Sequence, residues 1–328
     1  MDIQGDWIAQ LGPPRPLRFG QADPGRDLPA HVRAGSGLRR WGGRLVVVQD
    51  DVNALALVDE RTGAVTPLLL PAGAGGQRHF SEGRGNKAAK MDLEACAALP
   101  DGRLLVVGSG SSPARERLVL VEPDLSVRVV EAGPLFAHLR SRPDFAGAEL
   151  NLEGAVVVGG RLWLFQRGNG RATAGRAPCS AVGELELSAL LDFIDRGAGP
   201  PRLVAVRRVE LGQVGGVPFG FTDATALPDG RVVFLAGAEA SPDATADGPV
   251  LGARIGLLEG ERVVLCEIVD EHGQPTPLKL EGIDLLGVDA DGALRFAVVA
   301  DMDEPELPAA LAALRWGPPA GRAGSPGG

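Results

Sequence analysis

The chain has 328 residues, 45% hydrophobic and 23% charged, which supplies enough apolar side chain to bury a core without disulfide or metal staples. A formal charge of −9 argues against nucleic acid as a main partner, because affinity for a polyanion comes from Lys and Arg neutralising phosphates. No uncharged apolar run reaches membrane-spanning length, Met1–Asp6 has no basic stretch followed by an apolar one, and Cys96, Cys179 and Cys266 lie far apart with no CxxC pair. A cytoplasmic protein with free core thiols and no membrane partner is therefore expected. The absence of Tyr beside 47 Gly and 26 Pro reads as mutational pressure on codons, with no functional content.

An apolar stretch, a Gly-containing turn and a second, stronger apolar stretch recur five times along the chain. The copies are SGLRRWGGRLVVV (36–48), DLEACAALPDGRLLVVG (92–108), NLEGAVVVGGRLWLF (151–165), FTDATALPDGRVVFLAG (221–237) and KLEGIDLLGVDADGALRFAVV (279–299). Their turn glycines, Gly43, Gly102, Gly160, Gly230 and Gly292, are spaced by 59, 58, 70 and 62 residues. Two further β-branched runs follow each of the first four hairpins, as in ALALVD (54–59) and AVTPLLL (64–70), so the repeat reads as four strands joined by turn-forming residues. Helical periodicity is confined to LFAHLRSRPDF (135–145) and SALLDFIDRG (188–197), insertions that decorate loops.

These features predict an all-β fold: a single β-propeller over residues 1–316 with about five four-stranded blades near 36–70, 92–132, 151–211, 221–270 and 279–316. The fifth copy ends after a third strand, AALAALRW (309–316), and the Gly- and Pro-rich residues 317–328 read as a disordered tail. A closed ring must satisfy its last edge, so an N-terminal segment, DWIAQL (6–11) or RPLRF (15–19), is expected to supply the missing outer strand. If both belonged to an extra blade, the count would be six.

Acids recur where each innermost strand begins. Glu94, Glu153 and Glu281 each follow a Leu and precede a small residue, and the alignment sets Asp223 at the same place in copy four and Ser36 in copy one. Inner strands surround the propeller axis, so these side chains predict a carboxylate ring at one mouth of the channel. Converging carboxylates repel unless a cation or protons compensate, which makes Glu94, Glu153, Asp223 and Glu281 candidate ligands for Ca²⁺ or Mg²⁺. The alternative is that the acids accept hydrogen bonds and brace neighbouring blades. His31, His79, His138 and His272 have no partner at ligand spacing, so zinc is not expected.

The end of the second strand lies at the same edge as the start of the first in an antiparallel hairpin. Asp50, Asp51, Ser111, Arg115, Arg167, Asn169 and Asp301 are therefore predicted to share the acid-lined face and form a binding pocket, with Arg115 or Arg167 orienting an anionic group. Lys90, Asp92 and Glu94 alternate along a strand, as do Lys279 and Glu281, and read as neighbouring ion pairs. The partner expected at the mouth is a small-molecule ligand or a protein, bound by a monomer.

The Leu-Glu-Gly/Ala openings at 93–95, 152–154 and 280–282, with the closing stretch VVADMDEPELPAALAALRW (298–316), resemble bacterial propellers of the phytase-like, esterase-like group, nearest to a branch of unknown function. The likeness spans roughly 35–316 and specifies fold better than activity. More distantly, Glu-Gly at an inner-strand start is similar to the metal-ligand Glu of gluconolactonase-type propellers. That resemblance implies Glu153 or Glu281 as a metal ligand, Asn169 as a companion, and hydrolysis of a small ester, lactone or phosphoester.

Overall fold

A computed structural model describes residues 7–173, 175–240 and 248–319. Five antiparallel four-stranded blades surround one axis. Blade 1 comprises Gly35–Trp41, Arg44–Gln49, Ala54–Val58 and Val65–Leu69, and blade 2 comprises Leu93–Ala98, Leu104–Gly108, Arg117–Val121 and Val127–Glu131. Blade 3 comprises Leu152–Val158, Arg161–Gln166, Ala181–Glu186 and Leu203–Arg208, and blade 4 comprises Gly220–Ala226, Val232–Glu239, Val250–Glu259 and Arg262–Val269. Blade 5 takes Lys279–Val288, Leu294–Asp301 and Ala310–Gly317 from the C-terminal part and Ile8–Leu11 from the N-terminal part. The five inner strands contact one another in an unbroken ring, blade 1 against blade 5 included.

The five aligned turn glycines all have φ between +73° and +89°, a left-handed conformation that costs any residue with a Cβ. Buried Val, Leu, Ile and Phe from facing blades fill the wedges between sheets. Helix α1 (Gly133–Arg140) and the single turn α2 (Pro143–Ala146) lie between blades 2 and 3, and α3 (Leu187–Arg196) follows the third strand of blade 3. Leu135, Phe136, Leu139, Leu190 and Ile194 from α1 and α3 join one core cluster, so both predicted insertions are helical and packed. The segment 212–220 folds back as a small hairpin, Gln213–Val214 against Val217–Pro218, between blades 3 and 4.

Closure uses both N-terminal candidates. Ile8–Leu11 pairs antiparallel with the third strand of blade 5, Ala9 opposite Trp316, and Arg15–Pro16 continues along the same strand opposite Leu311 and Ala310. Trp7 meets the fully buried Trp316 edge to face with centroids 5.9 Å apart. Ala9 and Gln10 also pair in parallel with Ile268 and Val269 of blade 4, so the N-terminal strand joins two blades into one continuous sheet. Six blades are excluded because both segments belong to blade 5. Of the tail predicted at 317–328, Gly317 ends the third strand of blade 5, and residues from 320 onward, like residues 1–6, lie outside the described residues.

Every inner strand carries a β-bulge at its start, at Ser36, Glu94, Glu153, Thr222 and Glu281. A bulge re-aims the extra side chain out of the pleat. In four of the five blades the residue after it is Gly or Ala, because neighbouring blades nearly touch there: a Cβ on Gly282 would lie 2.7 Å from Leu38 N, and one on Gly37 would lie 2.9 Å from Glu94 O. No helix among the described residues is long and apolar enough to cross a membrane.

Candidate functional site

The bulges decide which side chains reach the mouth. Ser36 Oγ donates to Leu93 O and Thr222 Oγ1 to Leu280 O, each at 2.7 Å, tying a blade to the next. Glu94, Glu153 and Glu281 instead line a cavity of about 480 Å³ at the mouth, together with Asp50, Asp51, Arg115, Arg167, Asn169 and Asp301. The convergence expected of inner-strand starts and second-strand ends is thus present. Ser111, expected in the pocket, is exposed and does not line the cavity; its Oγ lies 2.8 Å from Arg115 Nη1 and 2.9 Å from Ser109 Oγ.

Asp223 departs from the expectation. Blades 2 and 4 share a Leu-Pro-Asp-Gly ending, which sets Thr222 opposite Glu94 and moves Asp223 one residue along, to the place that Gly or Ala holds in the other blades. There it is fully buried below the mouth, accepting backbone N–H from Ile283 at 2.9 Å, Ala224 at 2.7 Å and Leu38 at 3.4 Å. Its oxygens serve the fold, and it is no member of the mouth ring. Burial pushes its carboxyl up to about 7, against the pull of Arg39.

Arg39 closes the channel beneath the mouth. From blade 1 its guanidinium donates to Cys96 O of blade 2 at 3.0 Å, Ala155 O of blade 3 at 3.3 Å, Ala224 O of blade 4 at 2.8 Å and Ile283 O of blade 5 at 3.4 Å. Nη2 also lies 3.4 Å from Asp223 Oδ1, and Nη1 3.3 Å from Asp284 Oδ1. Its signal in the sequence is a charge inside an otherwise apolar inner strand, LRRW (38–41). Burial pushes the adjacent Cys96 thiol up to about 12, which removes it as a nucleophile at neutral pH.

Two poles divide the mouth. At the blade 1 and 2 pole, Lys90 Nζ spans Asp50 Oδ2 at 2.5 Å and Asp92 Oδ1 at 2.6 Å, and Arg115 Nη1 reaches Asp92 Oδ2 at 2.9 Å. Burial opposes the charge on Lys90, yet the carboxylates of Asp50, Asp92 and Glu94 override it and hold the ammonium above its ordinary range. Burial likewise works against ionised Asp92, but Lys90 and Arg115 hold it below the usual value. Glu94, 8% exposed, has no hydrogen-bond or ion-pair partner among the described residues. Burial first, then Asp92, Glu153 and Asp50, push its carboxyl well above the usual range. Ligand oxygens of Asp50, Asp92 and Glu94 lie within 4.8 Å of one another.

At the blade 3 to 5 pole, Arg167 Nη1 lies 3.3 Å from Glu153 Oε1 and Nη2 2.8 Å from Glu239 Oε2, while Asn151 donates to Glu153 Oε1 at 2.6 Å. Lys279 Nζ is 2.9 Å from Asp303 Oδ1 and 3.6 to 3.9 Å from Glu281, Asp301 and Glu239. Burial raises the carboxyls of Glu153 and Glu281, and pushes Asp301 up to about 7. Arg115 and Arg167, expected to orient an anion, are both committed to internal carboxylates. Lys90–Asp92 and Lys279–Glu281 are the ion pairs expected, but not by strand alternation: Lys90 and Asp92 precede the strand Leu93–Ala98, Asp92 at φ +53°, and Glu281 sits in a bulge.

The connection 71–91 forms the remaining wall. His79, Phe80, Arg84 and Lys87 line the cavity, and Asp27 anchors the loop by accepting from Arg78 N, His79 N and Arg84. Burial lowers His79 to about 4, so it is neutral at physiological pH.

The chain belongs to the family of unknown function DUF6929, whose sequence signature covers residues 31–315. No curated protein matches it significantly. Among solved structures it is similar to the glutaminyl cyclase of Myxococcus xanthus, with 12% identity over 95% of this chain and 100% of that one, at a TM-score of 0.48. A gluconolactonase from Xanthomonas campestris shares 16% identity over 93% of this chain and 98% of its own, at 0.42. The PQQ-bound aldose sugar dehydrogenase of Streptomyces coelicolor shares 13% over 96% and 100%, at 0.43. At these values the likenesses carry no argument about chemistry, which rests on the residues of the mouth.

Proposed function

We propose that the DUF6929 chain is a hydrolase of small ester or lactone substrates, working at the channel mouth with a divalent cation held by Asp50, Asp92 and Glu94. The observation that carries this reading is Glu94: a buried carboxyl with no protein partner, aimed into a cavity beside two more carboxylates at ligand spacing. Hard oxygen donors suit Ca²⁺ or Mg²⁺. The fit has one condition: Lys90 now spans two of the donors, so its ammonium must swing aside for an ion to enter. Such an ion would polarise a carbonyl or lower the pKa of a bound water. Arg115 orients Asp92, and Lys90, once displaced, would carry a proton available to a departing alkoxide.

A second reading is favoured by contacts that cross blades: the ion pairs Lys90–Asp50 and Arg167–Glu239, and Arg33, which pairs with Asp51 in blade 1 and donates to Pro305 O of blade 5, lock neighbours together. Under it the propeller is non-catalytic and presents the mouth to a small ligand or protein. Thermal unfolding in EDTA, then with Ca²⁺, Mg²⁺ and Mn²⁺ added back, separates the two. The hydrolase reading expects a saturable rise of about 2.7 kcal/mol at a hundredfold excess over Kd. It also expects Glu94→Gln to raise stability in EDTA, by removing a buried carboxyl that resists ionisation, and to abolish the ion effect. Destabilisation by Glu94→Gln with no ion dependence would favour bracing, and a rise with an ion would justify a lactone and ester screen.

A further inference from the structure

We propose that the blade 3 to 5 pole of the mouth is an ammonium-binding subsite, so that the substrate carries an amino group beside its ester or lactone; the inference rests on the hydrolase reading of the same cavity. Four buried or largely buried carboxylates, Glu153, Glu239, Glu281 and Asp301, share the cations of Arg167 and Lys279. Glu281 is 4% exposed and its Oε1 accepts no hydrogen bond, with Lys279 Nζ 3.6 Å and Arg167 Nη1 3.8 Å away. A buried carboxyl held only by ion pairs longer than a hydrogen bond is costly, and a ligand N–H that reaches the Glu281 side chain where it lines the cavity would recover part of that cost.

Charge and spacing select the donor. An anion at this pole would meet four acidic side chains, and the Arg167 guanidinium beside them is already paired with Glu153 and Glu239. A metal ion needs its donors close together, and among the described residues only Asp50, Asp92 and Glu94 offer three within 4.8 Å. An ammonium has no such requirement: its three N–H groups can reach separate acceptors, each bond strengthened by charge. Lys279 shows the arrangement in the protein itself, its ammonium standing among these carboxylates. A cavity of about 480 Å³ fits a small molecule that spans both poles.

The test uses three probes of equal length, 1,5-diaminopentane, pentane-1,5-diol and glutarate, measured by calorimetry on the full chain in EDTA at fixed ionic strength. The diamine is expected to bind saturably and at least about tenfold more tightly than the diol, with glutarate weakest. Glu281→Gln should weaken diamine binding by about tenfold, and Glu239→Gln should do so as well if the first variant fails to fold. Diol or glutarate binding as tightly as the diamine, no diamine binding, or unchanged affinity in folded variants would overturn the subsite. Because EDTA is present throughout, failure of the ion titration would remove the hydrolase reading without altering the diamine result.

Discussion

Replacing Arg39 by Met tests whether the five blades are stapled through the axis. The side chain is 6% exposed and reaches acceptors on all four other blades, among them the fully buried Asp223. Met nearly fills the volume, so the loss is electrostatic. Removing one partner of a buried pair costs about 3–5 kcal/mol because the other charge is stranded. Three backbone amides still serve Asp223, which places the expected loss at pH 8 near the middle of that range, about 4 kcal/mol. The loss should shrink toward pH 5, where Asp223, already pushed up to about 7, takes a proton, while Asp284, the other acid beside Arg39, keeps hydrogen bonds from Arg40 N, Leu285 N and Thr225 Oγ1. Urea unfolding followed by tryptophan fluorescence reads both values, with Asp223→Asn in the Arg39→Met background recovering part of the deficit. A loss below about 1 kcal/mol at pH 8, or one equal at both pH values, would refute the staple.

Asp301, pushed up to about 7 by burial, stays protonated in the fold while its unfolded counterpart ionises above about 4; stability should fall as pH rises from 4 to 7. Asp301→Asn should flatten that slope and raise the urea midpoint at pH 8, and a variant that tracks the parent would show the group to be solvated. Gly282→Ala should cost about 1–3 kcal/mol, since its Cβ would meet Leu38 N at 2.7 Å and part blades 5 and 1; an unchanged midpoint would mean that the contact relaxes freely. Deleting residues 1–16 strips blade 5 of its outer strand and the Trp7–Trp316 contact, and should leave an aggregating or unfolded chain by size-exclusion chromatography and circular dichroism. A monomeric, cooperatively folding truncation would contradict closure by that strand.

Strand order and blade number were legible because they are local: alternation, β-branched runs and a glycine forced to positive φ repeat every 58 to 70 residues. The missing fourth strand was legible too, since a C-terminal repeat one strand short must be completed from the other end of the chain. Glu94, Glu153 and Glu281 could be found from their repeat position, and the hairpin rule brought Asp50, Arg167 and Asp301 beside them. What the sequence could not decide depends on half-turns and on distance across the axis. A one-residue bulge sends Thr222 to the interblade contact and Asp223 beneath the mouth. Only the closed ring lets Arg39 reach four other blades, commits Arg115 and Arg167 to internal carboxylates, and leaves Glu94 and Glu281 short of donors. Pairwise patterns along a chain encode strands, whereas which charges are satisfied is settled only when five separate segments meet at one point.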